Sequence, residues 1–515
     1  MRNPESRTYK TIKNSGVALL FYAITFFLSF ISRRILLKQL GADILGLNTT
    51  ASSLLSFLNL AELGIGTAIA YTLYKPLREK DIQKINEIVS LQGWFYRRIA
   101  LFIIGGSMIM MGFFPLIFAK SELPLWYAFA SYSVLLFSSL LSYFLNYRQI
   151  VLSANQQNYK IQFSYNSISI IKVICQMIAV TFATFKYQWW LILEVIFTGI
   201  ATFSLNLQIK RTFPELNTNV AKGSVLRKKY PDIITKTKQL FVHRISLFAL
   251  TQTSPLIIYA FASLVMVTKY GNYITITSGL LAILSALFNS MNAGVGNLVS
   301  EGDMTRIMSV FRELFSSRFS IIGSICVCLL FLSSPFIKLW LGPEYCLDSV
   351  TVLIIVLLFY IRTSREVVDS YINAYGLFQD IWAPAAEAAI NVGCSILFGW
   401  IWGLPGILGG VLLSQVLIIL IWKPILLFTK GLKQSLAIYG MIYLKHLTIL
   451  SVTGLLTWFA MRFVPIDPSK NYLSFFLYGF LMEGIALTSL VATLYATEQG
   501  MRDFLKRIFS FIKNK

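Results

Sequence analysis

The residues best suited to do chemistry in this chain are charged side chains inside strongly apolar stretches. Arg33 and Arg34 follow the apolar run at 17–31, while Glu62 and Lys172 stand alone in later runs. An uncompensated charge in the middle of a bilayer costs about 2.5–3.5 kcal/mol on insertion scales, so such residues need a partner or a water-filled path. The guanidinium groups among them could hold an anionic cargo through paired hydrogen bonds.

A second group of charges is concentrated at 362–369. Arg362 and Glu366 are four residues apart, as are Arg365 and Asp369. Each pair can therefore neutralise itself on one face of a helix. We favour a self-paired structural stripe, and the alternative is a polar cavity wall at which cargo competes for the arginines.

Each lone charge has a structural and a functional interpretation. Consecutive helical residues point about 100° apart, so Arg33 and Arg34 could both snorkel outward, or one could face a cavity. Glu62 could line a cavity or hydrogen-bond to a neighbouring helix, Lys172 needs a partner, and Arg244 lies near a predicted span end, where it can snorkel. The other lone charges that need a partner are Glu194, Glu387 and Glu483. The candidate substrate-binding residues are Arg33, Arg34, Glu62, Lys172, Arg244, Arg362, Arg365 and Glu366.

The segment from Gly41 to Gly66 recurs about 230 residues later, from Gly271 to Gly296. The aligned pairs are Gly41/Gly271, Ile44/Ile274, Asn59/Asn289, Gly64/Gly294 and Gly66/Gly296. After a slip of about eight residues, the match resumes with Glu79/Glu301, Asp81/Asp303, Lys84/Arg306 and Ile85/Ile307. Two copied halves in a membrane chain are typical of a transporter that binds its cargo between them.

The composition predicts an all-α polytopic membrane protein. Of the 515 residues, 56% are hydrophobic and only 13% are charged, which leaves too little polar surface for a soluble protein of this size. Runs of about 17–25 apolar residues give about fourteen transmembrane helices. Their centres lie near residues 23, 60, 108, 135, 173, 198, 252, 285, 329, 359, 393, 416, 452 and 483.

The net charge of +22 is explained by topology rather than by nucleic acid. With both termini in the cytoplasm, about 30 Lys and Arg fall in cytoplasmic segments and about 6 in external ones. This is the positive-inside bias that orients membrane proteins. We therefore expect anionic lipid, and no nucleic acid, as the partner of the basic segments.

The repeat and the charge pattern predict five parts. Six spans separate the two copies, so we expect two six-helix lobes in one orientation, related by an axis along the membrane normal. Two further helices and an amphipathic basic tail follow them. The parts are an N-lobe (1–208), a basic cytoplasmic linker (209–239), a C-lobe (240–428), spans thirteen and fourteen (429–499) and the tail (500–515).

Motifs for catalysis are missing from the sequence. It has no Gly-x-x-x-x-Gly-Lys-Ser/Thr phosphate loop and no Asp-x-Asp site. The two histidines, His243 and His446, are far apart, and the five cysteines show no metal-ligand spacing. We expect no catalytic residues, no metal and no cofactor, and hence a protein that is not an enzyme.

Several strings resemble the Wzx-type polysaccharide flippases, relatives of the MATE-like and lipid II flippases in the MOP exporter superfamily. They are FISRRILLKQLGADILGLN (30–48), AELGIGTAIAYTLYKPL (61–77), TKYGNY (268–273), NAYGLFQD (373–380), EAAINVGCSILFGW (387–400) and GLPGILGG (403–410). The resemblance covers about residues 10 to 430. One departure is Ser254, which stands near the place where such proteins usually carry an Asp, so no role of that Asp is carried over.

The resemblance implies translocation of an undecaprenyl-pyrophosphate-linked oligosaccharide, such as an O-antigen or capsule unit, across a bacterial plasma membrane by alternating access. Lipid II flippases carry an Arg after a Ser in a similar first span, which favours Arg33 or Arg34 as a diphosphate contact. Polysaccharide polymerase or assembly proteins are implied as further partners. Two alternatives stay open: a MATE-like multidrug or cation antiporter, and a non-transporting membrane assembly factor for polysaccharide synthesis.

Overall fold

The computed structural model describes residues 7–62, 65–234, 237, 252–289, 292–377, 380 and 382–513. Across these ranges every regular element is helical and no β-strand is present. Many large apolar side chains are exposed, for example Phe27, Trp400 and Phe480. Backbone groups that are satisfied within helices, together with apolar side chains that face outward, suit a lipid environment. The protein is an all-α polytopic membrane protein, as predicted.

Nine helical segments of the described chain are long and apolar enough to cross a membrane. One of them, Trp382–Gly431, contains the predicted spans eleven and twelve. The predicted span near residue 60 is divided by a short 3-10 helix, Asn59–Glu62. The predicted span near residue 359 is one long helix, which carries four charged residues. The predicted span near residue 252 falls largely outside the described residues.

The chain divides into two compact units, Met1–Thr268 and Lys269–Lys515. In the first unit the helices are α1 (Arg7–Leu40), α2 (Ala42–Leu58), α3 (Ile65–Glu79), α4 (Ile82–Gly112), α5 (Phe114–Ile117), α6 (Trp126–Phe144), α7 (Ile150–Ala154), α8 (Asn158–Ile161), α9 (Ser167–Phe182), α10 (Lys186–Thr212), α11 (Gly223–Lys229) and α12 (252–261). Helix α13 (Leu264–Asn289) contains the division between the units. The five sequence-derived parts, with their limits at 208, 239, 428 and 499, stay a prediction.

The second unit continues from α13 with eight further helices. They are α14 (Asn292–Glu301), α15 (Met304–Trp340), α16 (Ser349–Ala374), α17 (Trp382–Gln415), α18 (Lys423–Leu426), α19 (Leu436–Met461), α20 (Tyr472–Thr497) and α21 (Gln499–Lys513). Helix α17 turns at Gly403, whose φ of 61° favours glycine. Beyond the turn, Gly410 packs directly against the backbone of Ser395, so the two halves of α17 lie side by side. This turn separates the two predicted spans.

The repeated Glu-x-Asp motif marks the same turn in both units. Helix α3 ends at Glu79, and the Asp81 carboxylate accepts a hydrogen bond from the Lys84 amide at 3.0 Å, which caps α4. Helix α14 ends at Glu301, and the Asp303 carboxylate accepts from the Thr305 amide at 3.0 Å to cap α15. An Asp at this position satisfies amide groups that a helix start otherwise leaves unpaired. In each copy, therefore, a long helix begins with an Asp cap.

The end of the predicted basic linker is docked on α4. The Lys229 ammonium lies 2.7 Å from the Glu87 carboxylate, and the Tyr230 hydroxyl donates to the same carboxylate at 2.6 Å. Burial, and then Glu87, raise the pKa of Tyr230 above its ordinary value. Gly223 lies so close to Trp94 that any larger side chain would collide with the indole. This part of the linker is thus an ordered segment packed on the first unit.

Candidate functional site

A polar cluster in the first unit surrounds the interruption between α2 and α3. The Tyr96 hydroxyl donates to Glu62 Oε1 at 2.6 Å. The Ser139 and Tyr143 hydroxyls donate to Asn59 Oδ1 at 3.3 and 3.2 Å. The 3-10 turn places Asn59 and Glu62 three residues apart, where each can reach a different neighbouring helix. Of the two interpretations of Glu62, the hydrogen bond to a neighbouring helix is present, and its tyrosine partner was not anticipated.

Arg33 and Arg34 lie in different environments on α1. Arg33 is half-buried and its Nη2 donates to the Thr268 carbonyl at 3.2 Å. Thr268 is fully buried, and its hydroxyl donates to the Ala42 carbonyl at 2.7 Å. Arg34 is exposed. The 100° separation of consecutive residues thus divides the pair into a half-buried and an exposed arginine.

Lys172 and Glu194 are each other's partners. Their ion pair joins α9 to α10 with 2.6 Å between Nζ and Oε1, and the two side chains are 17% and 14% exposed. Gln176, one turn from Lys172, donates to the second Glu194 oxygen at 2.9 Å and to the Trp190 carbonyl at 3.1 Å. Removal of one partner from such a largely buried ion pair would leave the other charge uncompensated.

Two further charges from the sequence analysis are Arg244 and Glu483. Arg244 lies outside the described residues. Glu483 of α20 accepts hydrogen bonds from the Ser324 hydroxyl at 2.6 Å and from the Cys328 thiol at 3.1 Å. Its partners on α15 are small polar groups, which the sequence did not single out.

In the second unit, Asp369 lies between two cations. Its Oδ2 is 2.7 Å from Arg365 Nε, and its Oδ1 is 2.9 Å from Lys423 Nζ. The Arg365–Asp369 pair within α16 is therefore formed as the spacing predicts. Lys423, from α18, completes this network.

The second spacing-based pair, Arg362 with Glu366, is not formed. Glu366 instead accepts a hydrogen bond from the Ser285 hydroxyl of α13 at 3.0 Å. Arg362 is exposed, although Ile361 and Thr363 on either side of it are buried. Within the described part of the chain, no carboxylate forms an ion pair with Arg362. Of the two pairs predicted on α16, one is therefore formed and one is not, and the Arg362 guanidinium is accessible.

Sequence reasoning missed Arg318 on α15. It is 2% exposed, its Nη2 donates to the Phe288 carbonyl at 3.3 Å, and its guanidinium lies 4.7 Å from the centre of the Phe288 ring. Arg318 is 17 residues after Glu301, as Tyr96 is after Glu79. Extending the repeat past its last matched residue would have found it.

Seven charged residues of the second unit and one serine are linked by ion pairs, hydrogen bonds or charge interactions, and they are called here the C-terminal charge cluster. Its members are Ser285, Arg318, Arg362, Arg365, Glu366, Asp369, Glu387 and Lys423. Glu387 on α17 is 4% exposed, and its Oε1 has no hydrogen-bond partner among the described residues. Four cations face three carboxylates, so the formal charge of the cluster is +1. Such a cluster can attract an anion into an apolar unit.

Comparison with known proteins gives likeness at the level of fold. No family model matches the sequence, and no curated protein matches it. The lipid II flippase MurJ, in an inward closed conformation, matches with a TM-score of 0.61 and 14% identity over 93% of this chain and 99% of that chain. An inward-facing multidrug resistance MATE family transporter of the MOP superfamily matches with a TM-score of 0.56 and 10% identity over 80% and 97%. This multi-pass membrane protein therefore shares the fold of these two transporters.

Proposed function

We propose that the protein is a MOP-superfamily flippase that moves an oligosaccharide linked to a polyprenyl diphosphate across a bacterial plasma membrane by alternating access. Both termini are then cytoplasmic, and no covalent chemistry is involved. Arg362 carries this proposal, because it is an accessible cation within a span that has no carboxylate partner among the described residues. A structural arginine would be neutralised by a neighbour, as Arg365 is.

The chemistry of the cargo suits the arginines of both units. A diphosphate carries about two negative charges and must pass a region where ions are costly. A guanidinium can replace its hydration with charge-assisted, bidentate hydrogen bonds. We assign one cargo contact in each unit: Arg33, fixed by the Thr268 carbonyl, in the first, and Arg362, exposed on α16, in the second. The resemblance of the Arg33 segment to lipid II flippases supports the same assignment.

A MATE-like cation antiporter is the second candidate, because it would share this fold. It would require an acidic binding region, whereas the C-terminal charge cluster has a formal charge of +1. A non-transporting assembly factor is weaker still, since it has no use for an accessible arginine inside a span. The positive charge of the cluster favours a flippase with an anionic cargo over both alternatives. This function also implies polysaccharide polymerase or assembly proteins as further partners.

Deletion of the gene in its native host tests the proposal. We expect loss of the surface polymer and accumulation of a lipid-linked oligosaccharide on the cytoplasmic leaflet, measured by extraction and mass spectrometry of polyprenyl-linked sugars. Re-expression of the parental protein should reverse both effects. Re-expression of Arg362→Gln at matched protein level should reverse neither, whereas Arg362→Lys should restore part of the export.

Two outcomes would contradict the proposed function. One is normal surface polymer without accumulated precursor in a host that has no second flippase. The other is a deletion strain that only becomes more sensitive to cationic drugs, which would favour the antiporter.

The matched control for Arg362→Gln is Arg462→Gln, since Arg462 stacks on the Trp458 ring after the end of α19, outside the charge cluster.

A further inference from the structure

A polar pocket of about 440 Å³ lies where α21 packs against the beginning of α15. Gly500 makes this approach possible, because a Cβ there would come within 2.5 Å of the Arg312 carbonyl oxygen. Met501 is buried, and Arg507 Nη2 lies 3.0 Å from Glu313 Oε1. The predicted amphipathic basic tail is therefore a helix that packs on α15.

Opposite charges line this pocket without meeting. Arg312 of α15 and Asp503 of α21 are both half-buried, yet neither forms an ion pair within the described chain, and Arg312 Nε is buried without a hydrogen-bond partner. The side-chain amides of Gln434 and Gln499 also line the pocket. Buried polar groups normally have partners. The pocket thus suits a ligand that carries an anionic and a cationic group a few ångströms apart.

The surroundings of α21 place this pocket at the edge of the apolar part of the second unit. Helix α21 folds back along α20, so that Leu505 and Phe509 line an open apolar groove with Leu487 and Val491. Phe509 is 67% exposed. An amphipathic helix with exposed apolar side chains lies at the boundary between headgroups and acyl chains. The polar face at the start of α21 then lies at the depth of lipid headgroups.

We propose that the pocket binds the headgroup of a phosphatidylethanolamine-type lipid. The phosphate contacts the Arg312 guanidinium, the primary ammonium contacts the Asp503 carboxylate, and the amides of Gln434 and Gln499 donate to the remaining phosphate oxygens. Phosphatidylglycerol lacks the cation, and phosphatidylcholine lacks the N–H donors. This site is separate from the arginines assigned to cargo, and it does not depend on the proposed transport function.

Native mass spectrometry of the full chain in detergent tests this site, with three lipids of identical acyl chains added in turn. Wild-type protein should retain phosphatidylethanolamine at about tenfold lower concentration than phosphatidylglycerol or phosphatidylcholine. Arg312→Gln should weaken retention of all three, whereas Asp503→Asn should remove only the preference for the ethanolamine headgroup. Arg502→Gln is the matched control, because Arg502 is exposed on α21 and does not line the pocket.

Equal retention of the three lipids by the wild type would overturn the proposal. So would Arg502→Gln having the same effect as Arg312→Gln. Competition by free phosphoethanolamine at the same concentration as the lipid would assign the pocket to a soluble ligand and would also overturn it. If Arg312→Gln lowers the yield of folded protein, Asp503→Asn decides, since its half-exposed carboxylate has no partner to lose.

Discussion

The two copies of the repeat agree at their helix starts and differ at the break between α1 and α2, which has no counterpart within α13. Asp81 and Asp303 cap α4 and α15 in the same way. By contrast, Gly41 has a φ of 87° and separates α1 from α2, whereas Gly271 lies inside α13. Only the first copy therefore needs a glycine there for its backbone. The capped turn is the structural feature that the two copies of the sequence repeat share. The backbone at Gly41 and Gly271 differs between the units.

The equivalent residues Tyr96 and Arg318 also differ in the groups that they bind. In the first copy, the Tyr96 hydroxyl binds the Glu62 carboxylate through a neutral donor. In the second, the Arg318 guanidinium binds the Phe288 carbonyl of α13. Equivalent positions on α4 and α15 thus contact their neighbouring helices with different chemistry. The second copy therefore has a buried, permanently charged side chain at this position.

Removal of the Arg318 guanidinium should give the largest effect. Arg318→Met loses a buried charge-assisted hydrogen bond and a desolvated contact with the Phe288 ring, together about 3 kcal/mol of stability. The equivalent change, Tyr96→Phe, loses one hydroxyl and should cost about 1 kcal/mol. Thermal unfolding of the purified proteins in the same detergent measures both. Equal losses would show that the two equivalent positions contribute equally to stability.

Removal of a second charged residue should recover the stability lost by the first substitution more fully in the first unit than in the second. Lys172→Met leaves Glu194 without its cation and should cost about 2 kcal/mol, most of which Lys172→Met with Glu194→Met should recover. Asp369→Asn leaves two cations without their acceptor, so one further substitution, Lys423→Met, should recover only part of the loss. The measurement is the midpoint of thermal unfolding for the single and double variants. Full recovery in both units would mean that the C-terminal network acts as a simple pair.

The two adjacent arginines of α1 give a transport test of the first copy. Arg33→Gln should reduce export about tenfold, and Arg33→Lys should retain part of it, because lysine keeps the charge but loses the fork. Arg34→Gln should reduce export less than Arg33→Gln does, since Arg33 is the arginine of α1 that we assign to the cargo. Surface polymer at matched protein level is the readout. Parental export by both Gln variants would exclude the pair and leave Arg362 as the phosphate contact.

Local spacing explains what the sequence could predict. The all-α class follows from composition, and the Arg365–Asp369 pair and the caps at Asp81 and Asp303 depend on neighbours within one turn. Such interactions require only the geometry of a single helix or turn. They are therefore visible in a linear pattern.

Contacts between helices explain what the sequence could not predict. The Lys172–Glu194 pair depends on how α9 packs on α10, and Lys423 reaches Asp369 from 54 residues away. Arg362 and Glu366 have the right spacing, but the Ser285 hydroxyl from α13 binds Glu366 instead. Helical spacing permits a pair, and tertiary neighbours decide whether it forms.

A smaller test compares the two caps directly. Asp81→Ala and Asp303→Ala should each cost about 1 kcal/mol, because each removes an acceptor for the first amides of a long helix. Asp81→Asn and Asp303→Asn should cost less, since an asparagine oxygen can accept the same hydrogen bonds. Matching losses, measured by thermal unfolding, would support a shared turn. A loss in only one unit would show that the other cap is redundant.

The smallest effect should come from the residue between the repeated Glu and Asp, and its sign should differ between the copies. Lys80 has a φ of 56° and Gly302 a φ of 78°, so both adopt the left-handed conformation that favours glycine. Lys80→Gly should therefore stabilise the protein by about 0.5 kcal/mol, after allowance for the greater freedom of glycine in the unfolded chain. Gly302→Lys should destabilise it by about 1 kcal/mol through the backbone alone, since a Cβ at Gly302 would meet no atom within 4 Å. Gly302→Asn is the control, with a smaller loss because asparagine tolerates this conformation. Thermal unfolding midpoints that shift in the same direction for Lys80→Gly and Gly302→Lys would contradict a common turn geometry.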